Sequence, residues 1–201
     1  SSTNLNEVNA SALQWTQEIA DSGFTHSNTS NSHNITLDAA GAYLVFANLP
    51  IKSNTGRASP QMQIKLNGTQ VTGGFASQGY IRTAEATNKS SIHWVGLIQS
   101  ASTNQVLTIE MSKRGAAGSV DVQTNEKGSI FIEKLANTNN LFSATATQLT
   151  SGDNWNNGAD VKWATQETID TGKFTHSTSS NPNRIAVDSD GDYLLLYNDG
   201  L

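Results

Sequence analysis

One stretch of this chain is written twice. Phe24-Thr25-His26-Ser27 returns as Phe174-Thr175-His176-Ser177, and in the same register, 150 positions on, Ile35 returns as Ile185, Asp38 as Asp188, Gly41 as Gly191, Tyr43 as Tyr193 and Asn48 as Asn198. Upstream, Trp15-Thr16-Gln17-Glu18 matches Trp163-Ala164-Thr165-Gln166-Glu167 across a small gap. A period this long exceeds the roughly 20–50 residues of a solenoid repeat and fits a whole domain in tandem. The expected organisation is therefore an N-terminal extension (1–10), a complete module (11–135), a Ser/Thr/Asn-rich connector (136–157) and the opening third of a second module (158–201). So short a piece cannot bury enough surface to be stable alone, and its strand edges would stay open. Completion by further sequence is the preferred expectation. Completion by strands of a neighbouring molecule is the alternative.

Composition narrows the fold class. Hydrophobic residues make up 36% and charged residues 14%, and Ser, Thr, Asn and Gly fill the gap. These residues satisfy turns and local hydrogen bonds but weaken helix interiors, so short strands joined by many turns are expected. Regular apolar runs such as Tyr43-Leu44-Val45-Phe46 and Ile130-Phe131-Ile132 argue against disorder. A net charge of -5 without a basic cluster offers no electrostatic footprint for nucleic acid or anionic membranes. No apolar stretch approaches the length needed to span a bilayer as a helix. With no initiator Met and no leader pattern, the sequence is expected to begin at a processed end or inside a longer protein. There are no cysteines, which removes disulfides, thiolate nucleophiles and zinc-thiolate sites together.

The apolar pattern has mostly a period of two, the mark of strands. Strands are expected at 13–19, 24–27, 34–37, 41–50, 61–66, 69–74, 79–83, 91–99, 106–113 and 129–135. Met62, Ile64 and Leu66 alternate with Gln61, Gln63 and Lys65, so one face is buried, and Asn67-Gly68 marks a tight turn. The expected fold is all-β, an antiparallel β-sandwich. Its core is expected to hold Trp15, Phe24, Ile35, Leu37, Tyr43, Val45, Ile64, Leu66, Trp94, Leu107, Ile109, Ile130 and Ile132.

The order of features resembles the jelly roll of the complement C1q-type and tumour necrosis factor-like superfamily. The residues carrying the likeness are Phe24, Ile35, Leu37, the run Gly41-Ala42-Tyr43-Leu44-Val45-Phe46, the hairpin Ile64-Lys65-Leu66-Asn67-Gly68, Trp94, and the closing strands at Leu107 to Met111 and Ile130 to Leu135. The likeness extends over the second copy as far as Tyr193-Leu194-Leu195-Leu196. It implies that Trp15, Phe24, Tyr43, Phe46 and Trp94, with Phe174 and Tyr193 in the second copy, are fold-motif residues. It also implies that the aromatics of the Gly41–Phe46 run pack between two sheets and that copies trimerise about an apolar axis. Gln78-Gly79-Tyr80-Ile81-Arg82 and the Phe-Thr-His-Ser segments further resemble tandem modules of large secreted bacterial proteins and of phage fibres.

Sites for chemistry are few. Asp188, Asp190 and Asp192 alternate as carboxylates do in a calcium loop, but the first copy has Asp38, Ala40 and Ala42 there, so turn formation is the plainer reading. Asp153 and Asp160 lie at or near the connector, where calcium could stiffen it or the acids are simply solvated. His26 and His176 hold equivalent positions and read as hydrogen-bonded structural residues, since His33 is replaced by Asn183. His93 beside Trp94 could stack a sugar, although sandwich packing of Trp94 is the plainer reading. Arg82, Arg114, Glu85 and Glu110 lack a nucleophile with a base and an orienting group, so no enzyme is expected. Acceptor patterns for glycans begin at Asn9, Asn28, Asn34, Asn67 and Asn88, as chance would supply in such a composition. The expected function is a non-catalytic structural or interaction module of an extracellular or virion surface. Its expected partners are other copies of itself or neighbouring repeats, with strand complementation as one route. The alternative is a lectin-like module binding surface glycans, with calcium or without a cofactor.

Overall fold

The computed structural model describes residues 11–16, 18–19, 22–54, 56–76, 80–83, 88–115, 120–122, 127–136, 141–145 and 160–196. They form two compact units, the first running to Leu135 and taking in Leu196, the second spanning Ala136–Leu195.

Eleven-residue to thirteen-residue strands dominate the first unit because apolar residues alternate over long runs without interruption. Its strands are β1 (Ser11–Ala12), β2 (Phe24–His26), β3 (Ile35–Leu37), β4 (Gly41–Ser53), β5 (Ala58–Leu66), β6 (Thr69–Ala76), β7 (Lys89–Ser100), β8 (Gln105–Gly115), β9 (Val120–Val122) and β10 (Ser129–Lys134). Two antiparallel sheets result. One runs β2-β3-β8-β5-β6, with β1 on the far part of β8; the other runs β10-β4-β7, with β9 on the end of β4. Consecutive strands mostly go to opposite sheets and close late in sequence, β3 on β8 and β4 on β7 and β10. This is an all-β antiparallel sandwich of jelly-roll type.

The facing rows are read off the registers, because directly opposed residues of an antiparallel pair share a face. In β4 the inward row is Tyr43, Val45, Ala47, Leu49 and Ile51, all buried. Across from it stand Ile64 and Met62 of β5 and Leu107, Ile109 and Met111 of β8. The β8 row ends on Lys113, which is only 2% exposed although Lys is seldom buried. Period-two reading puts it on the inward side, and its charge gives no hint of the burial.

Several expectations need correction. The described residues among 13–19 form no strand: Ser11–Ala12 pair with β8, after which Leu13 N–H bonds Ile109 O and Trp15 N–H bonds Ser32 O, so the chain steps between two partners instead of following one ladder. At 79–83 the described residues make a single bridge, Ile81 with Ala58, and Ile81 is buried as a plug. Strand β9 was not expected; it pairs with the end of β4, which runs three residues past Pro50. Pro50 is tolerated in mid-strand, where it stands opposite Ser91.

The second unit holds β11 (Phe142–Thr145), β12 (Thr165–Ile169), β13 (Phe174–His176) and β14 (Ile185–Val187), paired as two hairpins, β11 with β12 and β13 with β14. Strand β11 lies within the stretch expected to be connector. Its Phe142 stacks near Phe174 (ring centroids 6.0 Å) and edge-on to His176 (5.2 Å). An aromatic in a polar run was the available signal. The segment after Gly191 carries the same alternation as β4 yet forms no strand in the described residues.

Candidate functional site

The duplicated segment builds the same local structure twice. In the first copy Thr25 Oγ1 donates to Asp38 Oδ2 (3.2 Å); in the second Thr175 Oγ1 donates to Asp188 Oδ2 (2.6 Å). His26 Nε2 donates to Ser32 O (3.0 Å) and His176 Nε2 to Pro182 O (3.2 Å), since a carbonyl only accepts. His26 Nδ1 pairs with the Glu18 carboxylate, and His176 Nδ1 lies 3.2 Å from Gln166 Oε1. The upstream alignment is thereby settled: Gln166, not Glu167, is the counterpart of Glu18, and the gap falls after it. Trp15 N–H bonds Ser32 O and Trp163 N–H bonds Pro182 O. Both hairpin loops turn on an Asn with positive φ, Asn31 at 49° and Asn181 at 54°. Asn tolerates this region because its short polar side chain bonds locally.

The same equivalence holds at the tyrosines. Tyr43 Oη donates to Ala39 O (2.7 Å) and meets Phe24 edge-on at 5.9 Å; Tyr193 Oη donates to Ser189 O (2.6 Å) and meets Phe174 edge-on at 5.8 Å. Each stands two residues after a glycine at φ 145° or 156°, a conformation side chains rarely adopt, which explains Gly at 41 and 191. Their surroundings differ. Tyr43 is fully buried between the sheets, whereas Tyr193 is 44% exposed and Leu194 and Leu195 are more so.

Burial pushes the Tyr43 phenol above its ordinary range, and the Asp38 carboxylate pushes the same way. The phenol of the unfolded chain ionises first, near pH 10, so this contribution is intact below about pH 10 and is lost as pH climbs through the folded value. Urea unfolding at a series of alkaline pH values should show stability falling, with a smaller fall in Tyr43→Phe. Equal falls in both would exclude Tyr43 as the cause.

Trp94 is buried on the inward face of β7, and its Nε1 donates across the sandwich to Gly73 O on β6 (2.8 Å). Its ring lies on Gly96, where an added Cβ would sit 2.4 Å from the ring carbon Cζ2. Neighbouring His93 is exposed on the opposite face. Sandwich packing is thus what Trp94 does. Phe24 and Trp15 are half-buried against the same core, and Phe174 is buried in its own unit.

Phe46 departs from the expectation that it packs between the sheets. It falls on the even side of β4, so the pleat turns it outward. There it is half-buried with its ring 6.0 Å from that of Phe131. Phe46 stands opposite Val95 and Phe131, and Leu44 opposite Leu97 and Glu133. Leu44, Phe46, Val95, Leu97 and Phe131 therefore form one apolar patch on the outer face of the β10-β4-β7 sheet. Phe46 on β4 stands at its centre, and Phe131 on the outer strand β10 is 56% exposed. Polar residues border it, Asn48, His93 and Ser129 on one side and Glu133 and Gln99 on the other.

The acidic candidates are not drawn together. Among the described residues no group of three or more His, Cys, Asp or Glu is placed to hold a metal ion. Asp188 is engaged by Thr175, and Asp160 accepts from Asn183 Nδ2 (2.6 Å). Asp153 lies outside the described residues. The Arg and Glu set is likewise dispersed: Glu110 pairs with Lys65 across β8 and β5 (2.5 Å), Arg82 is exposed, and Glu85 and the side chain of Arg114 lie outside the described residues. Asn67 is a turn residue at φ 49° whose Oδ1 accepts from Val106 N–H (2.8 Å). No helix is long and apolar enough to cross a membrane among the described residues.

No family model matches the chain, and no curated protein matches it significantly. Among solved structures, the crystal structure of murine APRIL at pH 5.0 is similar over 67% of this chain and 98% of that one, with 13% identity and a TM-score of 0.35.

Proposed function

We propose that the protein is a non-catalytic structural module of an extracellular or virion-surface assembly, and that copies associate through the outer face of the β10-β4-β7 sheet. The observation behind this reading is the patch of Leu44, Phe46, Val95, Leu97 and Phe131. A strand exposing one apolar residue needs no explanation, but a contiguous patch rimmed by polar groups marks an interaction surface. In a chain with so few hydrophobic residues, turning five of them outward across the three strands of one sheet costs solubility. The occupant is a second copy, because an apolar patch asks only for an apolar partner, and closed homo-oligomers offer each subunit the same surface. The resemblance of the sequence to jelly-roll modules that trimerise, and to tandem modules of secreted proteins, points the same way.

Sedimentation equilibrium tests the proposal. The wild-type chain should self-associate reversibly, and Phe131→Glu should shift it to monomer, weakening association by about 100-fold or more, since a charge would be buried unpaired in the interface. Phe131 is exposed within one copy, so its substitution should leave the unfolding midpoint nearly unchanged. A wild-type chain that stays monomeric up to millimolar concentration would refute the proposal. So would a Phe131→Glu chain that associates as well as wild type.

A further inference from the structure

Among the described residues the second unit has an unpaired strand edge whose covering is visible in the first. In unit one, β3 pairs on one side with β2 and on the other with β8, where Ile35 opposes Leu107, Thr36 opposes Val106 and Leu37 opposes Gln105. In unit two, β14 pairs with β13 alone among the described residues. Asp188 N–H bonds Lys173 O, as Asp38 N–H bonds Gly23 O. Alternation along an antiparallel strand then turns the N–H groups of Val187 and Ile185 toward the free edge, as those of Leu37 and Ile35 turn toward β8. The side chains record the difference: Leu37 is fully buried and Val187 is 49% exposed.

We infer that the free edge of β14 is an acceptor for a strand with the alternation of Gln105-Val106-Leu107-Thr108-Ile109-Glu110-Met111. Such a strand, supplied by a module of this kind, adds antiparallel to β14 and places its Leu107 equivalent opposite Ile185. The hairpin presented to it matches β2–β3 bond for bond, so the pairing geometry is already built. The apolar side chains of Ile185 and Val187 would share the face of the incoming Leu, as Ile35 and Leu37 do with Leu107 in unit one. This edge lies in a different unit from the Phe46–Phe131 patch, and its test reads different amides.

The test is amide hydrogen exchange by NMR on the 201-residue chain, with Ile35 and Leu37 as the covered control inside the same molecule. Without addition, Ile185 and Val187 should exchange much faster than Ile35 and Leu37. A synthetic peptide copying residues 104–113 should slow Ile185 and Val187 by about tenfold or more and leave the control amides unchanged. Because three paired residues bind weakly, the same peptide is also joined after Leu201 through a flexible Gly/Ser linker, which raises its effective concentration to roughly millimolar. A peptide with Leu107→Asn should protect far less. Ile185 and Val187 already as slow as their counterparts, unchanged exchange with both free and tethered peptide, or equal protection by the Asn peptide would each overturn the assignment.

Discussion

Trp94→Ala is expected to destabilise the first unit by about 3–5 kcal/mol, the range for truncating a buried Trp to Ala. Two losses combine. The indole fills the space over Gly96, a position kept free of any side chain by the 2.4 Å approach of the ring, so its removal leaves a cavity that the neighbouring glycine cannot fill. The Nε1 bond to Gly73 O, which joins β7 of one sheet to β6 of the other, is lost as well. Trp94→Phe separates the two, since it keeps most of the apolar volume and removes only the donor, at about 1–2 kcal/mol for the bond with its stranded carbonyl. For a unit of this size, Trp94→Ala should lower the melting temperature by roughly 10–20 °C in calorimetry. A shift of a degree or two would mean that Trp94 is not packed between the sheets.

The two tyrosines supply the second large effect, as a difference within one molecule. Tyr43 and Tyr193 make the same backbone hydrogen bond and the same edge-on contact with a phenylalanine. What separates them is burial, complete for Tyr43 and roughly half lacking for Tyr193. Tyr43→Ala is expected to cost about 3–5 kcal/mol and Tyr193→Ala less than about 1 kcal/mol, because most of a large side chain's contribution comes from the apolar surface that folding removes from water. Urea unfolding followed at assigned amides of each unit measures both. Similar losses for the two variants would show that the shared local contacts, not burial between sheets, set the energetics.

The core of the first unit was legible in the sequence because strand burial follows a period of two. Tyr43, Val45, Ile64, Leu107 and Ile109 were expected inside on that ground, and they are inside. The same rule, applied strictly, turns Phe46 outward. The motif resemblance drew it inward because a motif carries residue types without stating which side of the pleat each takes. The outward apolar patch was missed for a related reason. Leu44, Phe46, Val95, Leu97 and Phe131 are scattered over three strands, and only the registers of β4 with β7 and β10 bring them together. Nothing in a one-dimensional pattern states which strands are neighbours.

By itself the sequence determined that the chain is all-β and that the Phe-Thr-His-Ser segments open equivalent structures. Local hydrogen bonding is encoded locally: Thr to Asp, His to a carbonyl six residues on, and Asn at the loop turn recur wherever those residues recur. Tertiary structure alone decided what becomes of each copy. Ile35, Leu37 and Tyr43 are buried because the first unit packs a second sheet against their inward faces. Their counterparts Val187 and Tyr193 are exposed, and among the described residues β13 and β14 form a sheet of two strands only. Burial depends on partners distant in sequence, whose pairing is set by the packing of the whole sandwich, so identical segments reach the same local fold and different energetic fates.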